Sequence, residues 1–252
     1  MKVLLHISFL GTAYCGYQIQ PNGITIQQKL NEATRMLFGY DCDIVGCSRT
    51  DSGVHANHFC ATVSKKGTNE LNTTIPINRI PLAIANLLPD DIVVFHAEAV
   101  SGDFHPRYDV KYKEYVYKIL NRPEKDPFLN DRSWHYPRII DGDMLKKMND
   151  AAQRFVGTHD FASYMAADTK VQDTVRTIYE AEVTKIGDVI EFRVSANGFL
   201  YNMVRILTGT LISVAEGKIS VEDIDMITEA KDRHLSGMTV PAKGLFLNKV
   251  VY

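Results

Sequence analysis

The chain has 252 residues, 45% of them hydrophobic and 23% charged, a globular composition long enough for one large domain or two ordinary ones. It has no uninterrupted apolar run of roughly 18 residues, so no segment is expected to span a membrane. The net charge of −2 argues mildly against a protein that coats nucleic acid non-specifically. Four cysteines without a CxxC pair are interpreted as free thiols and not as a disulfide framework.

The first half of the chain predicts the element order βαββαβ. Residues 3–10 alternate as a strand and lack the long apolar stretch of a signal peptide, so we expect a cytoplasmic protein. A helix should begin at Thr25, in a capping box that Gln28 completes by reaching back, and end at Gly39. Two strands, a helix and a final strand should follow at about residues 41–47, 57–64, 80–88 and 92–100.

The second half predicts βαββα(α)β. Its helices should cover the segment from Asp141 to Gly157 and residues 199–215 and 221–230, and its strands residues 110–120, 174–186, 189–196 and 245–251. We therefore expect an α+β fold of two ferredoxin-like, RRM-like halves, residues 1–105 and 106–252. The halves should share an extended antiparallel sheet with helices on one face and a cleft between them. Related four-stranded units bind single-stranded RNA on the open face.

Residues 105–122 are locally basic and aromatic, with five cations against two anions and four interleaved tyrosines. Such a stretch could bind RNA, because cations contact phosphates and rings stack on bases. It could equally be an amphipathic strand with a solvated Lys/Arg face.

The richest polar run is residues 46–56, which contain a candidate catalytic carboxylate at Asp51. An Asp between two hydroxyl residues and before Gly53 is also typical of an ordinary turn. The run is richer than a turn requires, because Arg49 and His55 flank the carboxylate. It also follows an aliphatic strand, and loops held by a rigid scaffold are where catalytic groups tend to lie.

A second unusual feature is Arg205, a cation within the most apolar predicted helix. A buried cation is costly unless it is paired, so a bidentate pair with a carboxylate is favoured over a side chain that extends to solvent. Gly209 lies one turn further along, where the missing side chain would let another segment approach.

The sequence does not favour a metal site. His55, His58, Cys60 and Cys47 are possible ligands, but their spacing matches no structural zinc pattern. Residues 96–98 match the H-x-E of nucleobase deaminases, yet no P-C-x-x-C follows. A metal-dependent nucleotide enzyme therefore stands only as an alternative. So does a non-catalytic pair of RRM-like domains, for which the RNP1 signature is missing.

Seven ordered segments together resemble the tRNA pseudouridine synthase A family. They are residues 11–27, 49–56, 104–107, 113–117, 159–163, 203–205 and 241–247. Residues 49–56, RTDSGVHA, are similar to the family's R-T-D-A-G-V-H-A. The departures are Tyr17 in place of a Trp, residues 47–48 in place of a small residue and Gly, and Ser52 in place of Ala. They leave open an altered substrate range.

The resemblance implies an isomerase that converts uridine to pseudouridine in the anticodon stem-loop of tRNA. It implies no cofactor and no metal, and a homodimer that the tRNA crosses. Asp51 would be the essential acid, acting either as a nucleophile or by removing a sugar proton. The implied catalytic set is Asp51, Arg205 as its charge partner, and Tyr115, which stacks on the target base. The implied substrate-binding set is Tyr115, Arg49 to hold the flipped state, Leu245 against the base, His55 and Arg107.

Overall fold

The computed structural model describes residues 1–166 and 171–252. It is a mixed α+β fold whose strands pair mostly antiparallel. The chain forms two compact units. Unit 1 contains Met1–Lys111 and Leu247–Tyr252, and unit 2 contains Tyr112–Phe246. In the described residues, no helix has both the length and the apolar character needed to cross a bilayer.

Unit 1 is a sheet with two helices. Its strands are β1 (Lys2–Phe9), β2 (Cys42–Gly46), β3 (His55–Lys65), β4 (Ile92–Val100) and the part of β10 (Leu245–Val251) from Leu247 onward; its helices are α1 (Ile26–Phe38) and α2 (Ile80–Ala85), which follows a 3-10 turn at Ile77–Arg79. β1 lies between β4 and β3 and is antiparallel to both. β2 and β10 both pair with β3.

The alternation of β1 gives this sheet one apolar face. Val3, Leu5, Ile7 and Phe9 are all buried, whereas His6 between them is only half-buried. Residues two apart in a strand point to the same side, so the even-numbered side chains of β1 form the more polar face.

The caps of α1 match their prediction, with one exception. The Thr25 hydroxyl accepts from the Gln28 amide at 3.3 Å, and Gly39 ends the helix at φ 76°. The Gln28 side chain donates to Glu32 at 2.9 Å instead of reaching back, so only half of the predicted capping box forms.

Unit 2 has its own sheet, in the order β5-β9-β8-β7, with antiparallel pairing. Its strands are β5 (Tyr112–Leu120), β6 (Trp134–His135), β7 (Gly157–Asp160), β8 (Val175–Ile186) and β9 (Val189–Ala196); its helices are α3 (Gly142–Gln153), α4 (Met203–Ala215) and α5 (Asp223–Ala230). Three 3-10 turns are at Ala162–Tyr164, Arg233–Leu235 and Ala242–Gly244. Nearly every residue of α4 is buried.

The structure corrects two predicted helices and adds two short strands. The predicted helix over 199–215 begins only at Met203, because Asn202 has a left-handed φ of 59°. α3 ends at Gln153, and Gly157, with φ 122°, begins β7 and does not cap the helix. The short strands β6 and β7 were not predicted.

Candidate active site

Asp51 lies half-buried in the loop between β2 and β3. The Tyr17 amide donates to the Thr50 carbonyl at 3.2 Å, and the Gly53 amide donates to the Tyr14 carbonyl at 3.3 Å. Asp51 is therefore placed between two backbone hydrogen bonds that tie its loop to residues 14–17. Residues 11–27 and 49–56, the first two segments that resemble the family, are thus joined by these hydrogen bonds.

Two close backbone approaches hold the same loop. Gly16 has φ 82°, and a Cβ added there would lie 2.6 Å from the Thr50 carbonyl oxygen. A Cβ added at Gly11 would lie 2.0 Å from the Val54 carbonyl oxygen. Side chains at these positions would displace the loop, since real Cβ contacts are never so short. Glycine is therefore required at both positions, because the backbone of the Asp51 loop comes too close to leave room for a side chain.

His55 is fully buried at the start of β3. Its Nδ1 accepts a hydrogen bond from the Gly11 amide at 2.9 Å, which places the proton of a neutral ring on Nε2. This environment favours a role in positioning the Asp51 loop over the substrate contact implied by the resemblance.

Arg49 and Arg107 are both exposed in unit 1. The Arg107 guanidinium lies 5.9 Å from the ring centre of Tyr108, which is 73% exposed. An exposed cation beside an exposed ring is suited to contact phosphate and base.

The rest of the basic stretch behaves largely as a strand. Tyr115 and Tyr117 are buried in β5. Lys118 pairs with Glu191 at 3.4 Å, and Arg122 pairs with Asp126 and Asp188, each at 3.3 Å. Of the two interpretations of residues 105–122, the amphipathic strand describes β5. The exposed cation and ring, Arg107 and Tyr108, precede β5 at the start of the stretch.

Arg205 lies half-buried on α4 in unit 2. Its Nε donates to the Val240 carbonyl at 2.8 Å and its Nη1 to Asn202 Oδ1 at 2.6 Å. These bonds hold the guanidinium in a fixed direction, so Arg205 is not simply an arginine that extends to solvent. Its predicted pairing with a carboxylate stays a prediction.

The expectation for Gly209 is confirmed. A Cβ at Gly209 would lie 1.9 Å from the Met238 carbonyl oxygen, and one at Gly237 would lie 2.3 Å from the Gly209 carbonyl carbon. Residues 237–240 therefore cross α4 at Gly209, one turn beyond Arg205, and the backbone of this segment contacts the backbone of the helix.

Tyr117 was not singled out from the sequence, yet it anchors the same segment. Its hydroxyl donates to the Pro241 carbonyl at 2.6 Å. Burial raises the pKa of this hydroxyl, and the nearby positive charge of Arg205 opposes the shift. Arg205 and Tyr117 thus hold neighbouring carbonyls of the segment that leads to Leu245, which is buried at the start of β10.

Tyr115 lies two residues from Tyr117 on the same strand, and its side chain therefore points to the same side of β5. Its ring contacts Phe199 edge-on, with centroids 5.0 Å apart. This contact fixes the ring plane, as a stacking surface requires.

The predicted site residues divide between the units. Unit 1 holds Asp51, Arg49, His55 and Arg107, and unit 2 holds Tyr115, Arg205 and Leu245. To the second group the structure adds Tyr117, whose hydroxyl donates to a carbonyl distant in sequence, and Asn202, the N-cap residue of α4, which accepts from Arg205.

The departure at Tyr17 leaves a polar atom without a partner. The ring stacks on Phe59 with centroids 4.4 Å apart, but its buried hydroxyl has no hydrogen bond within the described part of the chain. Tyr17→Phe should therefore raise the free energy of unfolding by about 1–2 kcal/mol, because an unsatisfied buried hydroxyl is removed. Urea unfolding of both proteins measures the change.

Tyr14→Phe is the matched control for this prediction. The Tyr14 hydroxyl donates to Asp91 at 2.5 Å, so its removal leaves an acceptor without its donor and should lower the stability. A loss of stability in Tyr17→Phe comparable to that in Tyr14→Phe would contradict the assignment.

Comparison with known proteins indicates the class of protein. The family model for tRNA pseudouridine synthase matches residues 151–252. Curated relatives named tRNA pseudouridine synthase A match the whole chain. The protein of Thermoanaerobacter sp. (strain X514) is 40% identical over 253 residues, covering 100% of this chain and 99% of the relative. That of Bacillus pumilus is 42% identical over 258 residues, with the same coverage.

The chain belongs to the tRNA pseudouridine synthase A family. Among solved structures, a crystal structure of a Cbf5-Nop10-Gar1 complex matches with 13% identity and a TM-score of 0.40, covering 98% of this chain and 49% of that one.

Proposed function

We propose that this member of the family, an isomerase that converts uridine in tRNA to pseudouridine, acts in the anticodon stem-loop. We further propose that it works in the cytoplasm, as a homodimer and without a cofactor. The observation that supports the activity most directly is the similarity to curated relatives across the full chain, with Asp51 placed on a loop that backbone hydrogen bonds hold.

The reaction needs one acid and an accessible base. The bond from uracil N1 to ribose C1′ breaks, a bond from C5 to C1′ forms, the C5 proton leaves to solvent and N1 gains a proton. Asp51 either forms a covalent intermediate as a nucleophile or removes a proton from the sugar. Both routes require the target nucleotide to be flipped out of the stack.

The remaining site residues would hold this flipped state. We propose two ferredoxin-like halves, residues 1–105 and 106–252, that share a sheet and bring Asp51, Tyr115 and Arg205 into one cleft. The fixed guanidinium of Arg205 supports a role in keeping Asp51 ionised, because a neighbouring cation favours the charged carboxylate. The fixed ring of Tyr115 supports stacking on the target base.

Four further residues have proposed roles. Arg49 and Arg107, both exposed, would contact the tRNA, Arg49 by entering the stem. Leu245 would pack against the flipped base. The hydrogen bond that His55 accepts from the Gly11 amide supports a role for His55 in positioning the Asp51 loop.

The target is tested by mapping pseudouridines in tRNA from cells that lack the gene. Pseudouridine should disappear from the anticodon stem-loop and return with the wild-type gene, but not with a gene carrying Asp51→Asn. Pseudouridines elsewhere in the tRNA should be unchanged and serve as the internal control. Loss at another position, with an intact anticodon stem-loop, would overturn the proposed specificity.

A further inference from the structure

A group of imidazole, thiol and carboxylate side chains lies on the more polar face of the unit 1 sheet. His6 on β1 pairs in register with Cys60 on β3 and with His96 on β4. His58 lies two residues before Cys60 and points to the same side. Glu98 on β4 completes the group. None of these side chains has a role in the proposed reaction.

Three donor atoms of this group converge. His6 Nδ1 lies 2.8 Å from His58 Nε2, and Cys60 Sγ lies 3.4 Å from His58 Nε2 and 3.8 Å from His6 Nδ1. Around a tetrahedral zinc ion, two imidazole nitrogens would be about 3.3 Å apart and each about 3.6 Å from a thiolate sulfur. The two distances to sulfur bracket this value, and the two rings need to separate by about half an ångström.

The other nitrogen of His6 is held as a metal-bound histidine usually is. His6 Nε2 lies 3.0 Å from Glu98 Oε1. Histidine ligands commonly donate their second ring N–H to a carboxylate, which fixes the tautomer and strengthens the ligand. Here that bond places the proton on Nε2 and turns the Nδ1 lone pair toward His58 and Cys60.

A chain of hydrogen bonds from Glu98 through His6 to His58 would explain two of these distances without an ion. It does not include the Cys60 sulfur, which is completely buried and which the strand register places against the same two nitrogens. Burial is the main cause that lowers the pKa of His58.

We propose that His6, His58 and Cys60 bind one Zn²⁺, with water in the fourth position. Two imidazole nitrogens and one thiolate suit zinc better than a hard cation. The ion accepts lone pairs from two neutral rings and from sulfur, and the Cys60 proton leaves to solvent. Burial raises the pKa of that thiol in the metal-free protein, and a bound zinc ion reverses the effect.

The site would cross-link β1 and β3 within unit 1. β3 begins at His55, directly after the Asp51 loop, so the ion would stabilise the strand that supports that loop. The inference goes beyond the proposed function and departs from the expectation of a metal-free protein. Sequence spacing does not reveal the set, because His6 and His58 are 52 residues apart.

Cobalt binding to the full-length, untagged protein tests the site. After treatment with a chelator, Co²⁺ should bind with a stoichiometry near one per chain and produce a thiolate-to-cobalt charge-transfer band with tetrahedral visible bands. Zn²⁺ should remove these bands. Cys60→Ser should abolish the charge-transfer band, whereas Cys42→Ser, which changes a half-buried cysteine elsewhere in unit 1, should keep it.

His58→Gln provides a second variant if Cys60→Ser does not fold, because His58 is only half-buried. It should weaken Co²⁺ binding at least tenfold, since loss of a ligand or of its outer partner costs roughly 10–100-fold in affinity. A folded wild-type protein without the charge-transfer band would overturn the proposal, and so would a band that persists in Cys60→Ser. Neither result depends on pseudouridine formation, which is measured separately.

Discussion

Replacing Asp51 with Asn should abolish pseudouridine formation while leaving tRNA binding nearly unchanged. Asn has the shape of Asp but lacks the negative charge that either proposed route requires. The hydrogen bonds of Thr50 and Gly53 that hold the loop involve backbone atoms and are therefore retained. Loss of an acid or base group costs about 10²–10⁴-fold in rate, and we expect the upper end here. Tritium release from tRNA labelled at uridine C5 measures the rate.

Asp43→Asn is the matched control for this variant. Asp43 is an exposed carboxylate on β2 of the same unit, and an Asn oxygen can still accept from the Gly67 amide as Asp43 Oδ2 does. This variant should keep the wild-type rate. Full activity in Asp51→Asn would remove Asp51 from the mechanism, and a parallel loss of tRNA affinity would indicate a displaced loop.

The second large effect is expected from Gly209→Ala. The added Cβ would lie 1.9 Å from the Met238 carbonyl oxygen, which belongs to backbone and cannot rotate away. α4 and the crossing segment must then separate, which weakens the bond from Arg205 to Val240 and that from the Gly237 amide to the Thr210 hydroxyl. We expect the free energy of unfolding to fall by about 2–4 kcal/mol.

Gly142→Ala controls for the change from glycine to alanine in a helix. Gly142 begins α3, and a Cβ there would meet no atom within 4 Å. Ala favours helix over Gly, so this variant should be as stable as the wild type or slightly more so. Urea unfolding compares the three proteins, and equal stability of Gly209→Ala and wild type would show that the crossing is not tight.

The elements that could be predicted from the sequence are those with local causes. The caps at Thr25, Gly39 and Asp141 follow from side-chain chemistry and dihedral preferences within one turn of chain. β6 and β7 could not be predicted, because each is very short and forms only through pairing with a partner strand, as Trp134 does with Ile119.

The same distinction applies to the sites. The Asp51 run stands out in the sequence because its polar residues are contiguous. Tyr117 does not, because one tyrosine among four gives no sign of which carbonyl it contacts. The sequence groups His55 with His58 and Cys60, whereas the fold turns His55 to the Gly11 amide and places His6 beside the other two. Register between strands decides this, and spacing along one strand cannot reveal it.

Strand β10 makes unit 1 discontinuous in the chain. Leu247–Tyr252 belong to a unit whose other residues are Met1–Lys111, and all of unit 2 is synthesised between them. The Asn57 side chain on β3 donates to Asn248 at 2.8 Å, and the Lys111 amide donates to the Val251 carbonyl. On the ribosome, unit 1 therefore cannot complete its sheet until the final strand emerges, and part of the β3 edge stays uncovered until then. During that interval the exposed edge is a site for aggregation or chaperone binding.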